Sequence, residues 1–173
     1  MATTDNSVLA AIRERRSVRK YTGEPVSREE CEAILEAGRW APTGLNNQPQ
    51  RFLAVRPGDP RVEALAGCTR YATIVRSAAL LIAVFLDGSA VYHEMKDHQA
   101  SGAVIQNMLL AAHAQGLGAV WLGEIVNQAD QVLDVLSMDP VAYSFMALVA
   151  VGRPAHPGAS SRHPLSHFML EEF

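Results

Sequence analysis

The 173-residue sequence has little cysteine, no long apolar run and none of the common metal or nucleophile motifs. Its two cysteines, Cys31 and Cys68, lack the spacing of a metal or redox pair, which favours free thiols in a reducing compartment over a disulfide. Residues 1–7 are polar and lack the layout of a signal peptide. No apolar run approaches the roughly 20 residues that span a bilayer. We therefore expect a cytoplasmic protein with no membrane partner.

Histidine is present six times, but no HExxH motif, His–Cys cluster or GxSxG elbow accompanies it. His93 and His98 are five residues apart, and the other pairs are scattered. His113 lies in an apolar helical segment, where we expect a satisfied interior residue. The sequence therefore argues against a metal site and against nucleophilic catalysis.

The formal net charge is -3 and the pI is about 6.0. This balance gives no general attraction for nucleic acid or for an anionic membrane, so neither is an expected partner. Hydrophobic residues make up 49% and charged residues 19%, which is ordinary for a globular chain. The length suits one domain with a sizeable core. We expect a single domain, 1–173, with a C-terminal arm at about 152–173.

Apolar periodicity and turn residues predict an α+β fold with a few strands and one buried helix. Helices are predicted at 7–14, 27–41, around 60–65, at 97–115 and at 127–136. Strands are predicted at 51–55, 79–86, 119–122 and 145–151. The helix at 97–115 is apolar nearly all round, so it should be central and buried. The tail from Gly152 has too few periodic apolar residues for a core of its own, which favours an arm around a neighbouring subunit.

A cationic segment follows the first helix, with four cations in the six residues 15–20. Arginine forks match phosphate oxygens two at a time, and the hydroxyl of Ser17 adds a donor. The alternative is a solvated helix end, where cations favour the C-terminal dipole. Because the chain is acidic overall, the cluster requires a local explanation.

Two further segments are candidates for ligand binding. The loop 41–51 offers amide and hydroxyl groups that suit the edge of a heterocycle, and a plain polar turn is the alternative. The segment 116–124 misses the dinucleotide fingerprint, because its third glycine falls two residues late and it follows a helix. Its glycines indicate either backbone held close to a flat group or a helix stop followed by a strand.

Four segments, taken in order, resemble the nitroreductase family of flavoproteins: ERRSVRKY, APTGLNNQPQRF, QNMLLAAHAQGLGAVWLG, and VAVGRPA with a later RHPL. The resemblance covers about 12–168. It implies a nitroreductase-like fold, with a central, mostly antiparallel sheet flanked by helices, one long buried helix and a C-terminal arm exchanged in a homodimer. It also implies FMN at the dimer interface, NADH or NADPH as co-substrate, and a ping-pong hydride transfer to a small flat acceptor such as a nitroaromatic or quinone.

The resemblance assigns the flavin contacts position by position. The N-terminal contacts, with an arginine on the phosphate and a cation near N1 and O2 of the ring, are Arg15, Arg16, Ser17 and Arg19. The loop that reaches the flavin from the other subunit supplies Pro42, Thr43, Gly44 and Asn46. Backbone beside the ring and near N5 comes from Leu122, Gly123 and Glu124. The tail arginine that closes on the phosphate is Arg162. No side chain is expected to act as a catalytic acid or base, because the flavin N5 is the reactive centre.

Two departures from the family pattern qualify this assignment. Ser160 stands where many members carry a basic residue, which weakens the phosphate site or places more weight on Arg16. The segment 88–96 is the only room for a lid, so the substrate preferences of larger relatives do not carry over. Specialised flavin chemistry (flavin destruction, dehalogenation or ring dehydrogenation) and non-catalytic flavin binding are the alternative functions.

Overall fold

The computed structural model describes residues 6–171, which contain six α-helices and one four-stranded sheet. The helices are α1 (Ser7–Glu14), α2 (Arg28–Arg39), α3 (Arg61–Gly67), α4 (Ala72–Ser77), α5 (Glu94–Ala114) and α6 (Ala129–Leu136). The strands are β1 (Gln50–Val55), β2 (Leu80–Asp87), β3 (Gly118–Leu122) and β4 (Tyr143–Gly152). Short 3₁₀ turns lie at Gly44–Asn46, Glu124–Gln128 and Leu165–Phe168. The α+β expectation is confirmed, and α4 is an element that the sequence did not predict.

The sheet has the order β1-β2-β4-β3, and every neighbouring pair is antiparallel. In the centre of the sheet Ile82 pairs with Val149, and on its other side Val149 pairs with Trp121. The two central strands are buried almost throughout. They therefore appear in the sequence as continuous apolar runs without alternation.

Side chains of the sheet alternate between two hydrophobic cores, one on each face. Ile82 and Val84 point into the core under α2 and α5. Leu81 and Phe85 point into the core shared with α3, α4 and α6. The sheet is thus the middle layer of three, and helices cover both of its faces.

Helix starts follow local capping rules in α1 and α2. The predicted capping box of α2 is present: Ser27 Oγ accepts from the Glu30 N–H at 3.1 Å, and the Glu30 carboxylate accepts from the Ser27 N–H at 2.8 Å. In α1 the cap is Asn6, one residue before the expected Ser7. Helix α6 begins at Ala129 instead of the expected 127, and no side chain caps it.

Helix α5 begins at Glu94, three residues earlier than predicted. The fully buried Asp97 carboxylate accepts the N–H groups of Tyr92 and His93 at 3.0 and 3.1 Å, which satisfies donors at the start of the helix. One side of α5 packs closely on α2, where Gly38 lies against Met108. The other side is only half-buried, so α5 is central, as expected, but one of its sides is not fully covered within this chain.

The segment after α1 runs along the outer side of β3. Ser17 forms a parallel bridge with Ala119, and the Val18 N–H donates to the Ala119 carbonyl at 3.0 Å. Gly118 and Gly152 are direct partners in the sheet register. A Cβ on Gly118 would lie 2.6 Å from the Val18 side chain, so the segment docks only because this residue is glycine.

The tail packs on its own chain for its first residues. The Ala155 N–H donates to the Lys20 carbonyl at 2.9 Å, and Pro154 bridges Tyr21. Gly158 has a φ of +68° and lies against Arg16. Residues 159–168 are exposed. Within residues 6–171, no helix combines the length and apolar character needed to cross a membrane.

Candidate functional site

A cavity of about 280 Å³ lies where the end of α1, the last turns of α5 and the start of the tail meet. Its lining residues are Glu14, Arg15, Arg16, Val18, Leu109, His113, Gly116, Leu117, Ala119, Pro154 and Pro157. The walls from α5 and β3 are largely apolar, whereas the α1 side is strongly cationic. We call this the arginine cavity.

Arg15 is the most constrained cation of the arginine cavity. Its Nε and Nη1 atoms are buried and have no hydrogen-bond partner within residues 6–171. Burial lowers the pKa of Arg15, and the positive charges of Arg162 and Arg16 lower it further. An unpaired buried charge is costly. A phosphate, which accepts two parallel N–H groups from one guanidinium, fits this arrangement.

Arg16 and Arg162 bring guanidinium groups from the two ends of the chain to the same region. Arg16 Nη1 donates to the Arg15 carbonyl at 2.9 Å. Arg162 Nη1 donates to the Ser161 carbonyl at 2.8 Å and to Ser160 Oγ at 3.1 Å. Ser160, the residue that departs from the family pattern, therefore orients the tail arginine without adding a charge.

Ser17 and Arg19 link this region to the sheet but do not line the cavity. Ser17 is held through its backbone beside β3. Arg19 is exposed, and its Nη1 donates to the Ser17 carbonyl at 3.3 Å. The guanidinium of Arg19 is thus available to a ligand outside the arginine cavity.

The end of β3 carries the predicted ring-side residues Leu122, Gly123 and Glu124. Leu122 is buried and Gly123 is exposed. The Glu124 carboxylate accepts from Thr69 Oγ1 at 2.6 Å and lies 3.9 Å from Arg70 Nε. Because these partners engage its side chain, Glu124 offers a ligand mainly its backbone.

The loop before β1 has a defined and unusual backbone. Leu45, Asn46 and Gln48 adopt left-handed φ angles of 52°, 56° and 52°. The Gln48 N–H donates to Thr43 Oγ1 at 3.2 Å. The loop contains the 3₁₀ turn Gly44–Asn46, an element that the sequence did not predict. Internal hydrogen bonds therefore fix its shape.

Tyr92 holds this loop from outside. A Cβ on Gly44 would lie 2.2 Å from the Tyr92 ring, so the contact requires glycine at position 44. Pro42 is exposed beside this contact, and Asn46 is exposed beyond it. Tyr92 lies 48 residues further along the chain, so local sequence patterns do not reveal this contact.

The loop and the arginine cavity lie at opposite ends of α5. Tyr92 comes two residues before α5, whereas Leu109 and His113 of the cavity lie in its last two turns. Helix α5 has 21 residues, so at 1.5 Å per residue its two ends are about 30 Å apart. The structure thus brings together Arg15, Arg16 and Arg162, and it separates them from the loop within one chain.

Sequence reasoning missed several residues at these sites. His113 was expected to be a satisfied interior residue, but it is half-buried and lines the arginine cavity. Its position four residues after Leu109, on the same helix face, was the available signal. Thr69 and Arg70, which hold Glu124, carried no such signal.

The fold and this site define a class: an α+β protein that gathers guanidinium groups around a site for an anionic ligand. Among residues 6–171 no group of three or more His, Cys, Asp or Glu side chains could hold a metal ion. The guanidinium groups of the arginine cavity suit an anion, because a guanidinium can donate two N–H groups to one anionic group.

Comparisons with known proteins identify the family within this class. The nitroreductase family model matches residues 12–69 and 59–153. A protein of Desulfovibrio desulfuricans, assigned as a nitroreductase and crystallised with FMN, is 61% identical, with a TM-score of 0.96 over 98% of both chains. A protein of Methanothermobacter thermautotrophicus, assigned as NADH dehydrogenase/NAD(P)H nitroreductase, is 31% identical over 96% of this chain and 87% of its own length. The 5,6-dimethylbenzimidazole synthase of Rhodospirillum rubrum is 30% identical over 87% of each chain.

The chain belongs to the nitroreductase family and is an oxidoreductase of that family. The antiparallel sheet between two helical layers is the fold of that family.

Proposed function

We propose that this chain is an FMN-dependent NAD(P)H oxidoreductase that passes hydride to a small flat electrophile, such as a nitroaromatic or quinone, in a ping-pong reaction. The observation that carries the proposal is the half-buried guanidinium of Arg15: its buried Nε and Nη1 atoms have no partner within residues 6–171, and it lies near the charges of Arg16 and Arg162. The FMN bound by the 61% identical relative supports the choice of anion.

Different residues of this chain bind different parts of FMN. Arg15, Arg16 and Arg162 neutralise the phosphate, and Ser17 adds a donor. Arg19 lies at the pyrimidine edge, and backbone of 122–124 lies beside the ring. When bound, FMN supplies the ring that accepts and returns hydride. The chain therefore needs no catalytic acid or base, and its residues bind, orient and set the electrostatic field.

The same proposal includes a homodimer with a flavin site shared between subunits. Because the loop and the arginine cavity lie at opposite ends of α5, which is about 30 Å long, the loop reaches the flavin that the other subunit holds. The loop residues concerned are Pro42, Thr43, Gly44 and Asn46. An apolar groove of about 500 Å³ between α1, α2 and α5 provides an interface. The exposed residues Leu165 and Phe168 of the arm, 152–173, pack on the partner subunit. Each subunit is a single domain.

The first experiment is an absorbance spectrum of the purified protein, followed by NAD(P)H oxidation with menadione or a nitrofuran. A yellow protein that oxidises NAD(P)H supports the proposal, and a protein that stays colourless after FMN reconstitution contradicts it. Bound flavin without NAD(P)H oxidation supports a non-catalytic flavin protein.

Two variants and one biophysical measurement test the site and the dimer. Arg16→Ala combined with Arg162→Ala should release FMN on dialysis, and flavin retained at wild-type occupancy would contradict the phosphate site. Dissociation of the dimer should strip FMN. A flavin-loaded monomer by light scattering would exclude the shared site.

Flavin destruction to a benzimidazole is the second candidate function, and the similarity to the R. rubrum synthase favours it over other specialised chemistry. The two functions differ in the fate of the flavin. Product analysis after many turnovers in air decides between them: FMN recovered intact supports the reductase, and a benzimidazole product supports the synthase.

A further inference from the structure

Trp121 is an exposed indole on an otherwise buried strand. Its side chain is 42% exposed, whereas its neighbours Val120 and Leu122 are 2% and 3% exposed. It lies on the same face of β3 as Ala119, towards α5. Single exposed apolar side chains are normal on protein surfaces, so the meaning of this exposure depends on what lies beside the indole.

The indole rests on residues that have no side chain. A Cβ on Gly102 of α5 would lie 3.8 Å from the ring, and a Cβ on Gly123 would lie 3.5 Å from Trp121 Nε1. Gly123 belongs to the backbone segment 122–124 that we place beside the flavin. Trp121 is therefore adjacent both to this segment and to the exposed side of α5.

One face of α5 joins Trp121 to the arginine cavity. Gly102, Gln106, Leu109 and His113 are spaced by four, three and four residues, so they lie along a single strip of the helix. Leu109 and His113 line the arginine cavity, and Gly102 lies under Trp121. The strip is about 16 Å long at 1.5 Å per residue. It has anion-binding groups at one end and an aromatic ring at the other.

We propose that Trp121 is a flavin-binding residue whose indole contacts the isoalloxazine ring of an FMN that has its phosphate in the arginine cavity. This inference rests on the proposed function and extends it with a side chain that selects for a planar ring. Aromatic rings in contact gain affinity beyond the area that they bury. In this arrangement the arginine cavity recognises the charge of the phosphate, and Trp121 recognises the planar shape of the ring.

The chain offers its own control for the test in Trp40, its second tryptophan, and Trp40→Phe keeps an aromatic side chain in the groove between α1, α2 and α5 that Trp40 lines. Trp40 lies at the end of α2, where its Nε1 donates to Glu36 Oε1 at 2.7 Å. The variants Trp121→Leu, Trp121→Phe and Trp40→Phe are titrated as apoproteins with FMN and with riboflavin. The readouts are the dissociation constant and the emission of the bound flavin, since a tryptophan in contact quenches flavin emission by electron transfer.

We expect bound FMN to be dark in the wild type and in Trp40→Phe, and several-fold brighter in Trp121→Leu and Trp121→Phe. Trp121→Leu should raise Kd about tenfold for FMN and for riboflavin alike, because the contact is to the ring. Trp121→Phe should lose less affinity, which separates ring contact from misfolding. Thermal unfolding of each apoprotein checks the fold.

Unchanged flavin emission and affinity in Trp121→Leu would overturn the proposal while leaving FMN binding by the wild type intact. In apo Trp40→Phe the remaining emission comes from Trp121. If this emission is already that of a buried indole and FMN does not change it, a second copy of the chain covers the ring. That result would also overturn it. A wild type that binds no FMN would instead remove the proposed function itself.

Discussion

The two ends of α5 differ in how the polar groups beside them are satisfied. At the C-terminal end, the buried Nε and Nη1 atoms of Arg15 have no partner in the described part of the chain, and the like charges of Arg16 and Arg162 lie nearby. At the N-terminal end, Asp97 accepts the N–H groups that start the helix, and Gly44 packs directly on Tyr92. In the proposed site an anion completes the first end, whereas contacts within the chain hold the second end in shape.

This difference predicts where substitutions act. Changes at the arginine end should alter ligand affinity and leave the apoprotein as stable or more stable, because they remove repulsion. Changes at the loop end should alter the stability of the apoprotein directly.

The largest effect is expected for Arg15→Ala. Loss of charge-assisted hydrogen bonds to the phosphate should raise Kd for FMN about 100-fold, or about 3 kcal/mol. Calorimetric titration of the apoprotein with FMN measures this change. Riboflavin, which has no phosphate, serves as the control and should bind variant and wild type equally. An equal loss for both ligands would remove Arg15 from the phosphate site.

At the loop end, Gly44→Ala should lower the free energy of unfolding of the apoprotein by about 2 kcal/mol, because the new Cβ overlaps the Tyr92 ring. Urea unfolding measures the loss. Tyr92→Ala added to Gly44→Ala should recover part of it. Gly67→Ala is the matched control, since nothing lies within 4 Å of a Cβ there. A Gly44→Ala protein as stable as Gly67→Ala would show that the loop is not held by this contact.

A smaller effect is expected for Arg19→Ala on the flavin potential. A guanidinium at the pyrimidine edge favours the reduced, negatively charged ring, so its removal should lower the two-electron midpoint potential. The shift should be on the order of 30 mV, equivalent to 1.4 kcal/mol. Spectroelectrochemical titration of the holoenzyme tests this, with Lys20→Ala as the neighbouring control. An unchanged potential would refute the role assigned to Arg19.

The smallest effect concerns Tyr21, which anchors the arginine segment to the sheet. Its hydroxyl donates towards the carbonyls of Val18 at 2.9 Å and Ala150 at 3.0 Å. Burial raises the pKa of Tyr21, and the charge of Arg19 offsets only part of this. Because the folded pKa lies above the unfolded one, this stability is complete below about pH 10 and is lost as the pH rises further.

Tyr21→Phe should therefore cost about 1 kcal/mol at neutral pH. Above about pH 10 its stability should fall less steeply than that of the wild type. Urea unfolding across this pH range measures both quantities. Parallel curves for the two proteins would mean that Tyr21 does not control the alkaline loss of stability.

Local features of the fold could be predicted from sequence. Ser27 and Glu30 form their capping box, and the apolar runs at 79–86 and 145–151 are the central strands. These signals depend on neighbours within a few residues. The start of α5 could not be predicted, because its donors are satisfied by Asp97 from inside the helix.

Only part of the candidate site could be predicted from the sequence. The cationic segment and the tail arginine are visible as sequence motifs, and the structure brings Arg15 and Arg162 within electrostatic reach of each other. One side of α5, with His113 and the strip below Trp121, is half-buried. The sequence predicts an interior position for this side, because apolar composition does not distinguish a hydrophobic core from a ligand-binding face. The contact between Gly44 and Tyr92 joins residues far apart in sequence, which no local pattern encodes.

The docking of residues 17–18 along β3 has a consequence for solubility during folding. An open strand edge is a template for pairing with another chain, which leads to aggregation. The segment that carries the arginines occupies this edge, and Gly118 leaves the space that Val18 needs. A substitution such as Gly118→Val would therefore expose a pairing surface as well as displace the cofactor contacts, so its first visible consequence should be insoluble protein.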